Sequence, residues 1–190
     1  MKLIFATQNT NKLLEIQDVL GEQIQLLSLK DMSFDQEIPE IFDTLEENSK
    51  IKAETIFNQF GMPCFADDTG LEVEALNGQP GVHSARYAGE PRNSENNMNL
   101  LLEELKGIEN RKARFRTVIT YIDGDGMHQF EGISKGQIID IKRGAKGFGY
   151  DPIFLPEESD NTFAEMSRSE KNKLSHRARA FEKFRLFIAR

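Results

Sequence analysis

Cys64-Phe65-Ala66 reads as the end of a buried strand, and it runs straight into two adjacent carboxylates, Asp67 and Asp68, before Thr69 and Gly70. Successive side chains on a strand point to opposite faces. The two acids can therefore share one ligand only if the backbone turns between them; otherwise one faces a cleft and the other is held by hydrogen bonds. Strand ends in α/β sheets are where ligands bind, and an acidic pair there suits a hard divalent cation such as Mg2+. Asp-Thr-Gly is also good turn chemistry, so a solvated turn is the competing reading. Beyond it, Leu71, Val73 and Ala75 alternate with Glu72 and Glu74, the period of a half-buried strand. Asn77-Gly78 closes that strand as a turn, and Gln79-Pro80-Gly81 leads to Ser84-Ala85-Arg86-Tyr87, a cation beside an aromatic ring.

The rest of the chain supplies what such a strand end would face. Lys2 to Ala6 reads as a first buried strand, followed by the polar run Thr7-Gln8-Asn9-Thr10-Asn11-Lys12 and a helical stripe at Leu13, Ile16, Val19 and Leu20. A strand, polar loop and helix in that order aim unpaired N–H groups and the positive helix end at the loop, which suits phosphate. The loop lacks the glycines and Lys-Ser/Thr ending of a Walker motif, and an ordinary helix cap stays open. Residues 24–29 read as a second strand. Thr44-Leu45-Glu46-Glu47 has the form of a capping box, opening a helix to about Phe60 that Gly61 and Pro63 end. Its apolar stripe is Ala53, Ile56, Phe57 and Phe60, with Asn48 and Lys52 sharing another face.

Asn93 to Lys106 reads as a scaffold helix built on Met98, Leu101, Leu102 and Leu105. Ala113 to Asp123 alternates as a strand, and Asp123-Gly124-Asp125-Gly126 turns it into a second one around His128 to Ile133. That turn lacks the remaining ligands of a calcium loop, and His128 reads as structural. In Gly144-Ala145-Lys146-Gly147-Phe148-Gly149-Tyr150-Asp151-Pro152, three glycines let the backbone approach a flat ligand, and Phe148 has no apolar stripe to join. Stacking a base on such a ring contributes roughly 1–3 kcal/mol with little base preference; a core position for Phe148 is the alternative. Ser167-Arg168-Ser169-Glu170 is a second capping box, with Lys171 in the helix it opens. Lys171 and His176 are five residues apart and would not share a face of one straight helix. A break near Ser175, serving as a fresh N-cap, would redirect His176 and Arg177. A stripe of Ala178, Phe181, Phe184 and Ile188 completes the chain.

Composition narrows the class. A chain of 190 residues, 38% hydrophobic and 29% charged, is long enough for a buried core and short enough for a single domain over 1–190. No apolar run reaches membrane-spanning length, and Met1 to Lys12 has no signal-peptide pattern. With one cysteine, Cys64, in an apolar strand, a reducing, cytoplasmic location is expected. The net charge of −7 disfavours stable nucleic-acid binding. Residues 165–190 nevertheless carry a local balance of +5 against −12 elsewhere. That asymmetry suits a metal–phosphate ligand, although a solvated basic helix face would look the same.

The segment FADDTGLEVEALNGQPGVHSARYAG resembles the acidic-pair segment of the inosine triphosphate pyrophosphatase family, enzymes that hydrolyse noncanonical purine nucleoside triphosphates to the monophosphate and pyrophosphate. Thr7 to Lys12 is similar to the family's first motif, with Gln8 where Gly or Asn is more usual. Gly-Phe-Gly-Tyr-Asp-Pro resembles its base-binding loop, and Lys171, Ser175, His176 and Arg177 match its closing motif. The resemblance implies an α/β fold, an elongated mixed sheet flanked by helices in two lobes with a central nucleotide-binding cleft. It also implies a homodimer and a small-molecule nucleotide substrate, hydrolysed to cleanse the nucleotide pool. Asp68 is the expected catalytic base; Asp68 and Glu40, with Asp67 supporting, are the expected Mg2+ ligands. Thr7, Gln8, Asn9, Thr10, Asn11, Lys12, Lys52, Thr69 and Lys171 are expected on the triphosphate side. Phe148, Gly149, Tyr150, Asp151, His176 and Arg177 are expected around a 6-keto purine, hypoxanthine or xanthine. Three alternatives stand beside this reading. A septum-formation-inhibitor-type pyrophosphatase would prefer modified pyrimidine or 7-methylated nucleotides, and a nucleotide sensor would bind without turnover. A phospho-receiver domain would carry its acidic pair after the first strand, whereas here the pair arrives some sixty residues in.

Overall fold

The computed structural model describes residues 2–20 and 24–189. Val19 and Leu20, expected on the first helical stripe, lie outside the residues whose side chains are described. The chain forms two compact units, Met1–Asp68 with Thr117–Gly132 and Ala178–Arg190, and Thr69–Arg116 with Ile133–Arg177. Its strands are β1 (Lys2–Phe5), β2 (Gln25–Ser28), β3 (Cys64–Val73), β4 (Pro80–Gly81), β5 (Lys112–Asp123), β6 (Gly126–Ile138) and β7 (Phe154–Pro156). Its helices are α1 (Thr10–Leu20), α2 (Leu45–Phe60), α3 (Ser94–Glu104), α4 (Arg168–Leu174) and α5 (His176–Ile188). The strands make one mixed sheet in the order β2-β1-β3-β5-β6-β7, with β4 paired to β3. This is the expected α/β class with a mixed sheet flanked by helices.

In the first unit β1 runs parallel to both β2 and β3, pairing Ile4 with Cys64 and Phe5 with Phe65. Strands covered by helices on both faces read as continuous apolar runs, and the alternation separates two cores. Leu3, Phe5 and Phe65 pack with Ile16 of α1 and Phe181 and Phe184 of α5. Ile4, Ala6, Cys64 and Ala66 pack with Ala53 and Ile56 of α2. The rings of Phe5 and Phe65 stack at 4.4 Å. Burial pushes the Cys64 thiol up to about 12, as befits a core side chain. The hydroxyl of Thr44 accepts from the Glu47 N–H and opens α2, and Gly61, at φ 61°, closes it. His128, exposed on β6, packs against Phe187 with ring centres 4.3 Å apart and planes tilted by 45°.

In the second unit β3 continues to Val73 and pairs antiparallel with β4, while β6 pairs antiparallel with β7. Phe115, Phe154, Phe163, Tyr150 and Leu101 form its core. At Gly70 a Cβ would stand 2.6 Å from the Gly81 carbonyl oxygen, so only glycine permits this pairing. The capping box at Ser167 and Glu170 is present on α4. Ser175, extended at φ −72° and ψ 148°, separates α4 from α5, which is the expected break.

Four boundaries differ from the sequence expectation. The acidic pair does not mark a strand end, because β3 runs unbroken from Cys64 to Val73. Glu74–Leu76 is a 3-10 turn rather than strand, its αL residue Asn77 at φ 54° closing it. Helix α1 starts at Thr10 instead of near Leu13, since Asn9 Oδ1 accepts from the N–H groups of Asn11 and Lys12 at 3.0 and 3.4 Å and serves as the cap. Strand β6 reaches Ile138 rather than Ile133 because β7 gives its second half a partner.

Candidate active site

The first unit presents consecutive acids to opposite sides of one strand. Cys64, Ala66 and Asp68 point to the α2 side, whereas Phe65 and Asp67 point to the side of α1 and α5. Both carboxylates are buried, at 1% and 6% exposure. A buried carboxylate without a partner is too costly to stay ionised, and here each is met by a lysine from the helix covering its side. Lys12 of α1 donates to Asp67 Oδ1 and lies 2.9 Å from both carboxylate oxygens. Lys52 of α2 donates to Asp68 Oδ1 at 3.0 Å and to the Asp67 carbonyl at 2.7 Å. The same ammonium reaches Glu40 Oε1 at 3.1 Å.

Lys52 therefore sits between two carboxylates that come from separate parts of the chain. Burial works against its charge, but Asp68, Glu40 and Asp67 outweigh it and hold the ammonium above its usual range. At Asp68 burial wins: it pushes the carboxyl up against the pull of Lys52, and Glu40 adds to the rise. Among the described residues no three His, Cys, Asp or Glu side chains are grouped to hold a metal. Mg2+ needs no such cage, being bound through one or two carboxylates with substrate phosphates and water filling its shell. Glu40 and Asp68, already sharing one cation, fit that requirement; Asp67 faces the other side of the strand on Lys12.

Thr7 to Asn9 folds as a compact turn leading into α1, whose first residues are Thr10, Asn11 and Lys12. Thr7 Oγ1 accepts from the Asn9 N–H at 3.1 Å, and Gln8 Nε2 donates to the Gln36 carbonyl at 3.3 Å. The side chains of Gln8 and Asn9, and of Thr10 and Asn11 in the first turn of α1, stay exposed at its positive end.

The remaining expected residues gather in the second unit. Phe148 is half-buried, with Lys171 Nζ 5.0 Å and Arg177 Cζ 5.6 Å from its ring centre, inside the range of attraction between a cation and a ring face. Lys171 donates to Asp151 Oδ2 at 2.7 Å, and the same oxygen accepts from the Phe148 N–H at 2.9 Å. Lys171, expected on the triphosphate side, thus packs against the aromatic loop of its own unit. Arg177 Nη2 donates to Thr69 Oγ1 at 3.3 Å; Thr69 directly follows Asp68 in β3. His176 is buried and stacks on Phe115 at 4.5 Å. Tyr150 is buried and donates to the Ser84 carbonyl at 2.8 Å.

The glycines of this loop do less ligand-facing work than their number suggests. A Cβ on Gly144 would stand 2.3 Å from the Ala164 backbone, and one on Gly147 would stand 2.0 Å from Asp151 Oδ2. These two close the loop on the protein itself. Gly149, at φ 64°, has no atom within 4 Å of its Cβ position, so it alone leaves open space beside Phe148.

Three residues that the sequence reading passed over matter here. Ser84 Oγ accepts from the Leu71 N–H at 2.9 Å and donates to the Gly81 carbonyl at 2.6 Å, fixing the turn beneath Tyr150. Asn97 accepts from the Ala88 N–H at 2.7 Å and donates to the Ala85 carbonyl at 3.1 Å. Phe163 lies 5.6 Å under Lys171. Only Ser84 carried a signal, its place in the SARY stretch; the others depend on packing from distant segments.

A Ham1 family model matches residues 3–187. The chain is 52% identical over 182 residues to the dITP/XTP pyrophosphatase of Flavobacterium johnsoniae, covering 96% of this chain and 95% of that one. It is 52% identical over 188 residues to the dITP/XTP pyrophosphatase of Porphyromonas gingivalis, covering 98% and 97%. The Ham1 protein of Staphylococcus aureus superposes with a TM-score of 0.91 at 35% identity, over 100% of this chain and 98% of the other. With sequence and backbone agreeing over nearly the whole chain, the protein belongs to the Ham1 family.

Proposed function

We propose that the protein is a Mg2+-dependent pyrophosphatase of noncanonical purine nucleoside triphosphates, converting ITP, dITP and XTP to the monophosphate and pyrophosphate and so cleansing the nucleotide pool. The observation that carries the proposal is the Lys52 ammonium held between Glu40 and Asp68, both within 3.1 Å. The names of the relatives, dITP/XTP pyrophosphatase, support the substrate class. Asp68 takes a proton from water as the water oxygen attacks the α-phosphorus. The bond from that phosphorus to the bridging oxygen breaks, and pyrophosphate leaves with the oxygen. Bound through Glu40 and Asp68, Mg2+ supplies charge neutralisation on the phosphates.

Thr7, Gln8, Asn9, Thr10, Asn11 and Lys12 hold the phosphates at the start of α1, with Lys52 adding positive charge and Asp67 keeping Lys12 in place. Such placement accounts for most of the rate in phosphoryl transfer. Phe148 stacks on the base, Gly149 leaves it room, and Tyr150 anchors the loop. Lys171, His176 and Arg177 supply the donors for a 6-keto group, Asp151 holds Lys171, and Thr69 steadies Arg177. Adenine leaves such donors unpaired, and sites built on a hydrogen bond reject the analogue lacking it by roughly 10⁴- to 10⁵-fold.

Incubation with ITP, XTP and ATP in the presence of Mg2+, with pyrophosphate resolved from orthophosphate, tests the reading. Pyrophosphate should be the first product, with ITP and XTP strongly preferred over ATP; orthophosphate appearing first would overturn the cleavage position. The family resemblance extends the proposal to one catalytic domain over 1–190 acting in the cytoplasm as a homodimer. Light scattering on the purified protein should then give about twice the 21.7 kDa chain mass, and a mass of one chain at working concentration would remove the dimer. No helix among the described residues is long and apolar enough to cross a membrane.

A further inference from the structure

Asn48 is completely buried on α2, one turn before Lys52. Both ends of its amide are given to one residue of the preceding loop. Oδ1 accepts from the Phe42 N–H at 3.0 Å, and Nδ2 donates to the Phe42 carbonyl at 3.0 Å. This is the two-point pairing that a neighbouring strand would offer, supplied by a side chain.

The clamped residue lies two positions after Glu40, and Ile41 between them is 73% exposed, whereas Ile38 on the other side of Glu40 packs against the core under α2. Among the described residues, the Asn48 clamp and the Glu40–Lys52 ion pair at 3.1 Å both tie the stretch around Glu40 to α2. Asn48 and Lys52, four residues apart, stand on the same helix face. The ties are not equivalent, because an oxygen that Glu40 gives to a metal is no longer available to Lys52. The clamp, made to backbone rather than to the carboxylate, still holds the stretch when the Glu40 carboxylate is in use.

We propose that Asn48 is a positioning residue that fixes Glu40 for the divalent cation, and that it thereby sets the Mg2+ requirement of the enzyme. The inference rests on the reading of Glu40 as a metal ligand. Removing a residue that orients a ligand typically weakens metal affinity by about 10- to 100-fold.

The test compares Asn48→Ala, Asn48→Asp and Glu40→Gln in the full chain. Mg2+ is titrated in ITP hydrolysis and, by calorimetry, into protein saturated with an α,β-methylene analogue of ITP. Asn48→Ala should raise the Mg2+ concentration for half-activation by about tenfold or more, weaken calorimetric Mg2+ binding in parallel, and leave kcat at saturating Mg2+ comparatively little changed. Asn48→Asp keeps the acceptor for the Phe42 N–H but loses the donor, so an intermediate shift is expected; it decides the matter alone if the alanine variant does not fold. If Glu40→Gln raises the Mg2+ requirement and the Asn48 variants do not, the positioning role is wrong while the metal reading stands. A fall in kcat without a shift in Mg2+ affinity is likewise fatal to it. If Glu40→Gln leaves the requirement unchanged, Glu40 is no ligand and the inference falls with it.

Discussion

Asp68→Asn should lower kcat for ITP by about 10³-fold while the nucleotide still binds, because the change removes a base and a charge but almost no volume. Positioned general bases contribute roughly 10²- to 10⁴-fold, and loss of one carboxylate from the cation set adds to that. The fold should tolerate the variant. Lys52 keeps Glu40 at 3.1 Å and the Asp67 carbonyl at 2.7 Å, so its ammonium is not stranded, and an asparagine oxygen can still accept from it. Steady-state kinetics with ITP, paired with calorimetric binding of the α,β-methylene analogue, separates the two effects. A variant that keeps more than about a tenth of the activity would remove Asp68 from the proton transfer that the expected loss is built on.

That prediction concerns a residue whose type was readable in the sequence and whose setting was not. Local chemistry announces itself within a few residues: the Thr44 and Ser167 caps, the αL glycine at 61 and the break at Ser175 all stand where the sequence puts them. The continuity of β3 is different. Two consecutive carboxylates look like the end of a strand, because burying both is prohibitive unless each finds a cation. Those cations lie 55 residues away, at Lys12, and 16 away, at Lys52. No short window of sequence contains the pairing, so a reading by local pattern ends the strand where it in fact continues. The Gly-rich loop misleads for a related reason. Three glycines suggest an open face, yet two of them are needed where Asp151 and Ala164 press against the backbone. The inward turn of Asp151 follows from Lys171, 20 residues on. Asn48 shows the same limit, since its residue type and helix face were readable but the loop residue it clamps was not.

The Lys171–Asp151 pair leads to the second large effect. Lys171 is 5% exposed and Asp151 3%, and their 2.7 Å contact is buried. Lys171→Met keeps the length and packing of the side chain but removes the ammonium that the buried Asp151 carboxylate meets at 2.7 Å. Stranding one member of a buried pair costs about 3–5 kcal/mol, a loss that urea unfolding would read directly. Lys171→Met combined with Asp151→Asn removes both charges and keeps an acceptor for the Phe148 N–H, so it should recover more than half of that loss, as neutral replacements of buried pairs do. Turnover of ITP should not recover with it, because the double variant still lacks the ammonium 5.0 Å from the Phe148 ring. Stability restored without activity would assign the pair two separable duties: Asp151 keeps Lys171 charged and in place, and Lys171 meets the base. If the single variant is as stable as the parent chain, the pair is not what holds the loop, and the position of Lys171 over Phe148 needs another cause.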